Sequence, residues 1–285
     1  MTDFNYSLKN IDISSATIIN SAISVVFAII ISIILLILVG VSGNTEAIYS
    51  VLLIIPSIIF CTLILTVFNT FTATYLYNTL SKKLWPVKIN LFENKEIKKV
   101  STKESSILYT IISTILVIIY VLIGIVLLPL LFGLVYQVLM LSGNMMAAYM
   151  VYQIVMLFSD PVFIISFIIL SAVVTIIGCF ISVYSYNQLT GKIYGVMLKL
   201  TNEDGYVNVD SINPTNAALI IGVVALILGV IMGVINIITT HSVSGLIGSI
   251  IGSFIGVFIA VFISSCLYNF LAPKLGKIRF VLDEI

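Results

Sequence analysis

Residues able to carry acid–base, metal or nucleophilic chemistry are few in this sequence, and they stand apart from one another. The only histidine, His241, lies in Thr239-Thr240-His241-Ser242 without a neighbouring Cys, Asp or Glu, so it reads as a solvated turn residue and not a metal ligand. Cys61, Cys179 and Cys266 fall inside long apolar stretches with no Cys-x-x-Cys spacing. They read as buried apolar thiols, outside any disulfide framework or metal site. No Gly-x-Ser-x-Gly, His-Glu-x-x-His or phosphate-binding loop occurs. Asp160-Pro161 is a turn signal, with no second acid for general acid–base work. The expectation is therefore a protein that is not an enzyme, with no catalytic residue, no cofactor and no metal. A net charge of +1 gives no footprint for nucleic acid.

The elements that would position any site are dictated by where charge is missing. The chain has 285 residues, of which 60% are hydrophobic and 9% charged, against about 25% charged in soluble domains. No Asp, Glu, Lys or Arg occurs between Asp12 and Glu46, Glu46 and Lys82, Glu104 and Asp160, Asp160 and Lys192, or Asp210 and Lys274. A helix crosses hydrocarbon in roughly 20 apolar residues and satisfies its own backbone there. The spacing predicts six spans: Thr17–Val41, Ala47–Leu80, Ser106–Leu131, Val162–Leu189, Thr215–Ile238 and Val243–Leu271. Between the third and fourth, residues 135–160 hold Ser142-Gly143-Asn144 and a short apolar run near Met145–Leu157. That run is too short to cross and reads as an outer interfacial or re-entrant helix.

Intramembrane charges mark proton relays and ion-coupled transport, and these spans have none, which argues against a pump. All thirteen Lys and Arg residues fall on one side of a six-span chain. The opposite loops carry only Glu46, Asp160 and His241. Basic loops stay cytoplasmic, so both termini are expected in the cytoplasm. With no cleavable leader evident, the first span is expected to remain as an anchor.

A repeat closes each even-numbered span: YNTLSKKLWPVKINL from Tyr77, YNQLTGKIYGVMLKL from Tyr186 and YNFLAPKLGKIRFVL from Tyr268. Tyr77, Tyr186 and Tyr268 suit the headgroup level. Asn78, Asn187 and Asn269 suit carbonyls freed at a helix end. Lys83, Lys192 and Lys274 suit the negative helix terminus and anionic lipid. The tails read as short strands, continued by hairpins Val87–Phe92 with Ile97–Ser101 and Val196–Leu200 with Tyr206–Asp210, the second turned by Asp204-Gly205. Ile11-Asp12-Ile13 and Ile278–Leu282 would be the first and last strands, and their pairing would close a six-stranded sheet or barrel. Ser101-x-x-Glu104 fits a capping box.

The fold class is thus an α-helical membrane protein: a single membrane domain over 1–285, with tandem helix-hairpin units at 9–91, 97–200 and 206–282 around a pseudo-threefold axis. Counting back from each Tyr, small or weakly polar residues share one helical face, among them Thr62, Asn69, Ser171, Thr175 and Ser253, together with Thr66. Close helix packing is the preferred reading of that face, supported by Gly229-x-x-x-Gly233 and by Gly248, Gly252 and Gly256. A narrow polar path lined by the same residues is the alternative. Pro56 and Pro129 read as packing kinks, with a gating hinge as the alternative.

These Tyr-Asn, Lys and strand endings resemble a group of prokaryotic multi-pass membrane domains of unknown function, whose hairpins end in Tyr-Asn, a hydrophobe, Lys or Arg, and Gly-Gly. Here Gly-Gly is replaced by Trp85-Pro86, Tyr194-Gly195 and Gly276-Lys277. The resemblance implies architecture and a prokaryotic cell membrane, and no activity. The functional expectation is a non-enzymatic scaffold or accessory subunit, with a passive channel or uncoupled transporter as the alternative. Expected partners are the bilayer, anionic headgroups through Lys82, Lys83, Lys88, Lys95, Lys98 and Lys99, and a second copy or another protein.

Overall fold

The computed structural model describes residues 4–41, 43, 45–93, 95–203, 205–240 and 243–285. His241, and Asp204 of the expected second turn, lie outside them. In chain order the elements are β1 (Tyr6–Ile11), α1 (Ile13–Val41), α2 (Thr45–Lys83), β2 (Val87–Phe92), β3 (Glu96–Val100), α3 (Thr102–Leu141), α4 (Met145–Leu157), α5 (Pro161–Leu189), β4 (Val196–Glu203), β5 (Tyr206–Ile212), α6 (Pro214–Thr240), α7 (Val243–Leu275) and β6 (Arg279–Glu284).

Among the described residues, six helices are long and apolar enough to cross a membrane: α1, α2, α3, α5, α6 and α7. Their large apolar side chains are open on the outside, with Leu53 79% and Leu170 63% exposed. The thiols follow the same rule. Cys61 and Cys266 are exposed, not buried as expected, because apolar residues on these helices line the outside as well as the packed faces. α4, at 13 residues, reaches only about 20 Å at 1.5 Å per residue, well short of a crossing. α3 runs to Leu141, past the expected end at Leu131, with Pro129 inside it, as Pro56 lies inside α2.

The six strands form one closed barrel, each antiparallel to its sequence neighbour, with β6 returning to β1. Closure removes the edges that would otherwise template aggregation. β1 ends before Asp12, one residue into the Ile11-Asp12-Ile13 segment expected to be strand. The Asp12 carboxylate accepts the Ser15 amide at 2.9 Å, which makes it a helix cap in place of a strand residue. The last strand is likewise displaced, to Arg279–Glu284. Period-2 alternation, shifted by one residue at Asp210 in β5, turns Leu198, Leu200, Val209, Ile212, Ile278 and Phe280 into a core with Ile19, Tyr268 and Ala272. Lys199 and Arg279, one residue out of step, are exposed. Three bulges interrupt the ladders, at Lys9 in β1, Lys98 in β3 and Asp210 in β5. Every strand–helix junction lies at one rim of the barrel, and the two hairpin turns lie at the other.

The chain divides into two compact units, Met1–Ser105 with Phe180–Ile285, and Ser106–Cys179. In the first, α1 packs on α2 and α7, and α6 on α7. Asn20 Nδ2 donates to Thr70 Oγ1 at 2.7 Å across α1 and α2. A Cβ on Gly229 would stand 2.7 Å from the Ser249 carbonyl oxygen, and one on Gly233 2.5 Å from Leu246 Cδ1. The α6 pair therefore admits α7, as small-residue spacing predicts. Gly248, Gly252 and Gly256, expected to pack in the same way, meet nothing within 4 Å; they sit one residue out of step with the contact made by Ser249 and Ser253. In the second unit Asn144 caps α4 through the Ala147 amide, and the Tyr136 and Tyr152 rings, 6.3 Å apart, join α3 to α4.

Candidate functional site

The most highly organised polar chemistry in the molecule lies where the helices meet the barrel. A strand end projecting past the rim leaves an N–H and a C=O that the ladder no longer pairs, and a buried backbone group without a partner is costly. Asn78 matches both groups of Ile11, its Oδ1 accepting at 2.9 Å and its Nδ2 donating at 2.8 Å. Asn187 does the same to Val100, at 2.8 and 2.7 Å, and Asn269 to Ile212, at 2.8 and 2.8 Å. Each amide thus ties the end of one helix to the strand that precedes its partner helix.

The tyrosine hydroxyls complete the junction. Tyr77, Tyr186 and Tyr268 donate to the carbonyls of Leu8, Ile97 and Val209 at 2.6, 2.5 and 2.5 Å. Those residues stand immediately before the three bulges. The same oxygens accept amides at the start of the next strand or just before it: Val87 on Tyr77, Val196 on Tyr186 at 3.1 Å and Ile278 on Tyr268 at 3.3 Å. Tyr77 and Tyr268 are buried. The tyrosine hydroxyls thus bridge strands, and the asparagines expected to bond carbonyls freed at their own helix end bond a strand. The asparagine difference has one cause, the unpaired backbone at the rim.

Ser81 and Thr190 add a bond to the bulge residues themselves, donating to the carbonyls of Lys9 and Lys98. Ala272 holds the corresponding place in the last unit and has no hydroxyl to give. Two further residues escaped sequence reasoning. Glu96, which falls between the expected strands Val87–Phe92 and Ile97–Ser101, is buried and accepts the Gly195 amide at 2.7 Å. Gly195 lies so close to β3 that a Cβ would stand 2.2 Å from the Ile97 carbonyl oxygen. The Tyr194-Gly195 pair in the second repeat was the one signal available for it. Ser101 presents its hydroxyl to the Lys88 amide at 2.9 Å, so the barrel takes the group that a capping box would use.

No protein-family model matches the chain, and no curated protein and no solved structure does either.

Several of the charges around the barrel are paired. Lys9 meets Asp283, Lys277 meets Asp210 at 2.6 Å and Arg279 meets Asp12 at 3.0 Å. Lys98 lies over the Phe92 ring and Lys274 over Phe270, 3.8 and 3.5 Å from the centroids. Hydrogen bonding from Lys277, against burial and helped by Thr201, holds the Asp210 carboxyl below the usual carboxylate range. Burial pushes Asp12 up, and bonds from Ser15 and Arg279 outweigh it and hold that carboxyl low.

The residues that the spacing aligned along a common helical face are half-buried. Thr62 and Asn69 are on α2, and Ser253 on α7 is turned to α6, its Oγ 2.8 Å from where a Gly229 Cβ would stand. Ser171 and Thr175 belong to the other unit, where the Ser171 hydroxyl donates back to the Ile168 carbonyl of its own helix at 2.8 Å. Among the described residues no group of three or more His, Cys, Asp or Glu could hold a metal.

Proposed function

We propose that this chain is a non-enzymatic membrane scaffold, three helix hairpins repeated about a pseudo-threefold axis and standing on a rigid barrel. The recurring Tyr-Asn junction carries this reading: the same side chains tie helix ends to strands at three places, so the organised polar chemistry among the described residues holds helices. The six apolar helices lie in the bilayer. Lys and Arg are confined to strands, hairpin turns, adjoining helix ends and the short helix–strand links, so retention of basic segments puts the barrel and both termini in the cytoplasm. α4 then rests at the outer surface. The association expected of such a scaffold is with another membrane protein or a second copy.

Proteoliposomes test this reading against a passive channel. Vesicles reconstituted with the protein should leak potassium, chloride and small neutral solutes no faster than protein-free vesicles. A flux abolished by Thr62→Trp would replace the scaffold with a conducting path.

A further inference from the structure

We infer that the foot of the first helix hairpin holds one anionic phospholipid, its phosphate on Lys82 and Lys83. Two adjoining cavities lie there. One, of about 410 Å³, is walled by Asn10, Ile13, Tyr75, Asn78, Thr79, Lys82 and Lys83. The other, of about 590 Å³, shares Asn10, Ile13 and Asn78 and continues along Ile18 and Phe71. The shape is amphipathic, with two cations at one end and apolar side chains running up α1 and α2. Ile18, Phe71 and Tyr75 are 46%, 52% and 54% exposed, which leaves a lane on the same side for an acyl chain.

Charge complementarity fixes the class of occupant. Lys9, Lys277 and Arg279 are taken by carboxylates, and Lys98 and Lys274 by rings. Among the described residues Lys82 and Lys83 have neither an ion pair nor a ring contact, and no acid lines their cavity. Asp12, in the adjoining wall, is already occupied by Arg279 and the Ser15 amide. A basic pocket beside a transmembrane helix on the cytoplasmic side is where anionic headgroups bind. The buried Asn10 Oδ1 makes no hydrogen bond and gives the wall an acceptor for a headgroup hydroxyl. The site sharpens the diffuse field of six lysines to two, and it rests on the membrane placement proposed above.

The test is native mass spectrometry of the full chain released from nonionic detergent, titrated with phosphatidylglycerol, phosphatidylcholine or inorganic phosphate. One phosphatidylglycerol should be retained in preference to phosphatidylcholine. The K82Q/K83Q pair should weaken it about thirtyfold, which corresponds to about 1 kcal/mol for each of the two lysines at about 1.4 kcal/mol per tenfold, while the charge-matched K95Q/K199Q pair leaves it unchanged. Equal losses in the two pairs, or equal retention of both lipids, would overturn the site. Displacement of the lipid by inorganic phosphate would make it a free-anion site and also overturn it. A chain that stays dispersed without detergent would instead remove the membrane placement, an outcome read separately from lipid retention.

Discussion

At the scale of single residues, the asparagine amide is the irreplaceable group, because it offers a donor and an acceptor at the spacing of one residue's N–H and C=O. Leucine in its place has the volume and neither function. Asn187→Leu leaves the Val100 N–H and C=O, and the Thr102 hydroxyl, without their partner; at about 1–3 kcal/mol for each of the two backbone groups, the expected loss is about 2–6 kcal/mol. It should appear as a lowered thermal midpoint in detergent, and Asn78→Leu and Asn269→Leu should behave alike. A midpoint unmoved by all three would mean that the barrel holds its helices by other contacts. The ion pair Asp210–Lys277 has a two-sided pH dependence. The Asp210 carboxyl is depressed on folding, so its contribution is present above its ordinary value near about 4 and is lost as pH falls through the folded value. Lys277 is raised, chiefly by its bond to Asp210, so its contribution is present below about 10.4 and is lost as pH rises through the folded value. Asp210→Asn should flatten both limbs of a stability profile against pH. A profile with its acid limb intact would assign that limb to other carboxylates, Asp12 first among them.

At the scale of elements, the close approaches are glycine-dependent and can be separated by position. Gly195 must pass the Ile97 carbonyl, and a methyl group there overlaps backbone, which has no flexible end to move aside. Gly195→Ala should therefore lower stability by about 1–3 kcal/mol, the cost of overpacking, whereas Gly252→Ala, with open space around it, should be neutral or slightly stabilising. Parallel thermal unfolding of the two variants checks the contrast, and equal effects would contradict it. The helices and strands themselves were legible: charge-free tracts marked every long helix, and β-branched runs after Tyr-Asn marked the strands. Their ends were not. Asp12 looks like strand in Ile11-Asp12-Ile13 because its role depends on the Ser15 amide, a contact made only once the helix exists. α3 overran its expected end because Leu130 to Leu141 is as apolar as the span before it, and nothing local stops the helix before Ser142-Gly143.

At the scale of the whole molecule, the repeated endings foretold that strands would gather on one side, and the barrel is where they meet. The roles of Tyr and Asn stayed hidden because each bonds a residue far away in sequence, Asn78 reaching Ile11 and Tyr186 reaching Ile97. Glu96 was hidden for the same reason, since its partner is Gly195. A closed barrel makes the first strand the neighbour of the last, so a fixed relation among all six helix feet follows from pairing β1 with β6. That pairing is the part of the account on which the scaffold reading stands. Ser7 and Asp283 face one another across it. In a background with Cys61, Cys179 and Cys266 replaced by Ser, the Ser7→Cys/Asp283→Cys protein in native membranes should oxidise to an intramolecular disulfide in nearly every molecule and unfold at a higher temperature than its reduced form. Thiols that stay free and separately reactive under the same oxidant would show the barrel open, and with it three hairpins that share no common base.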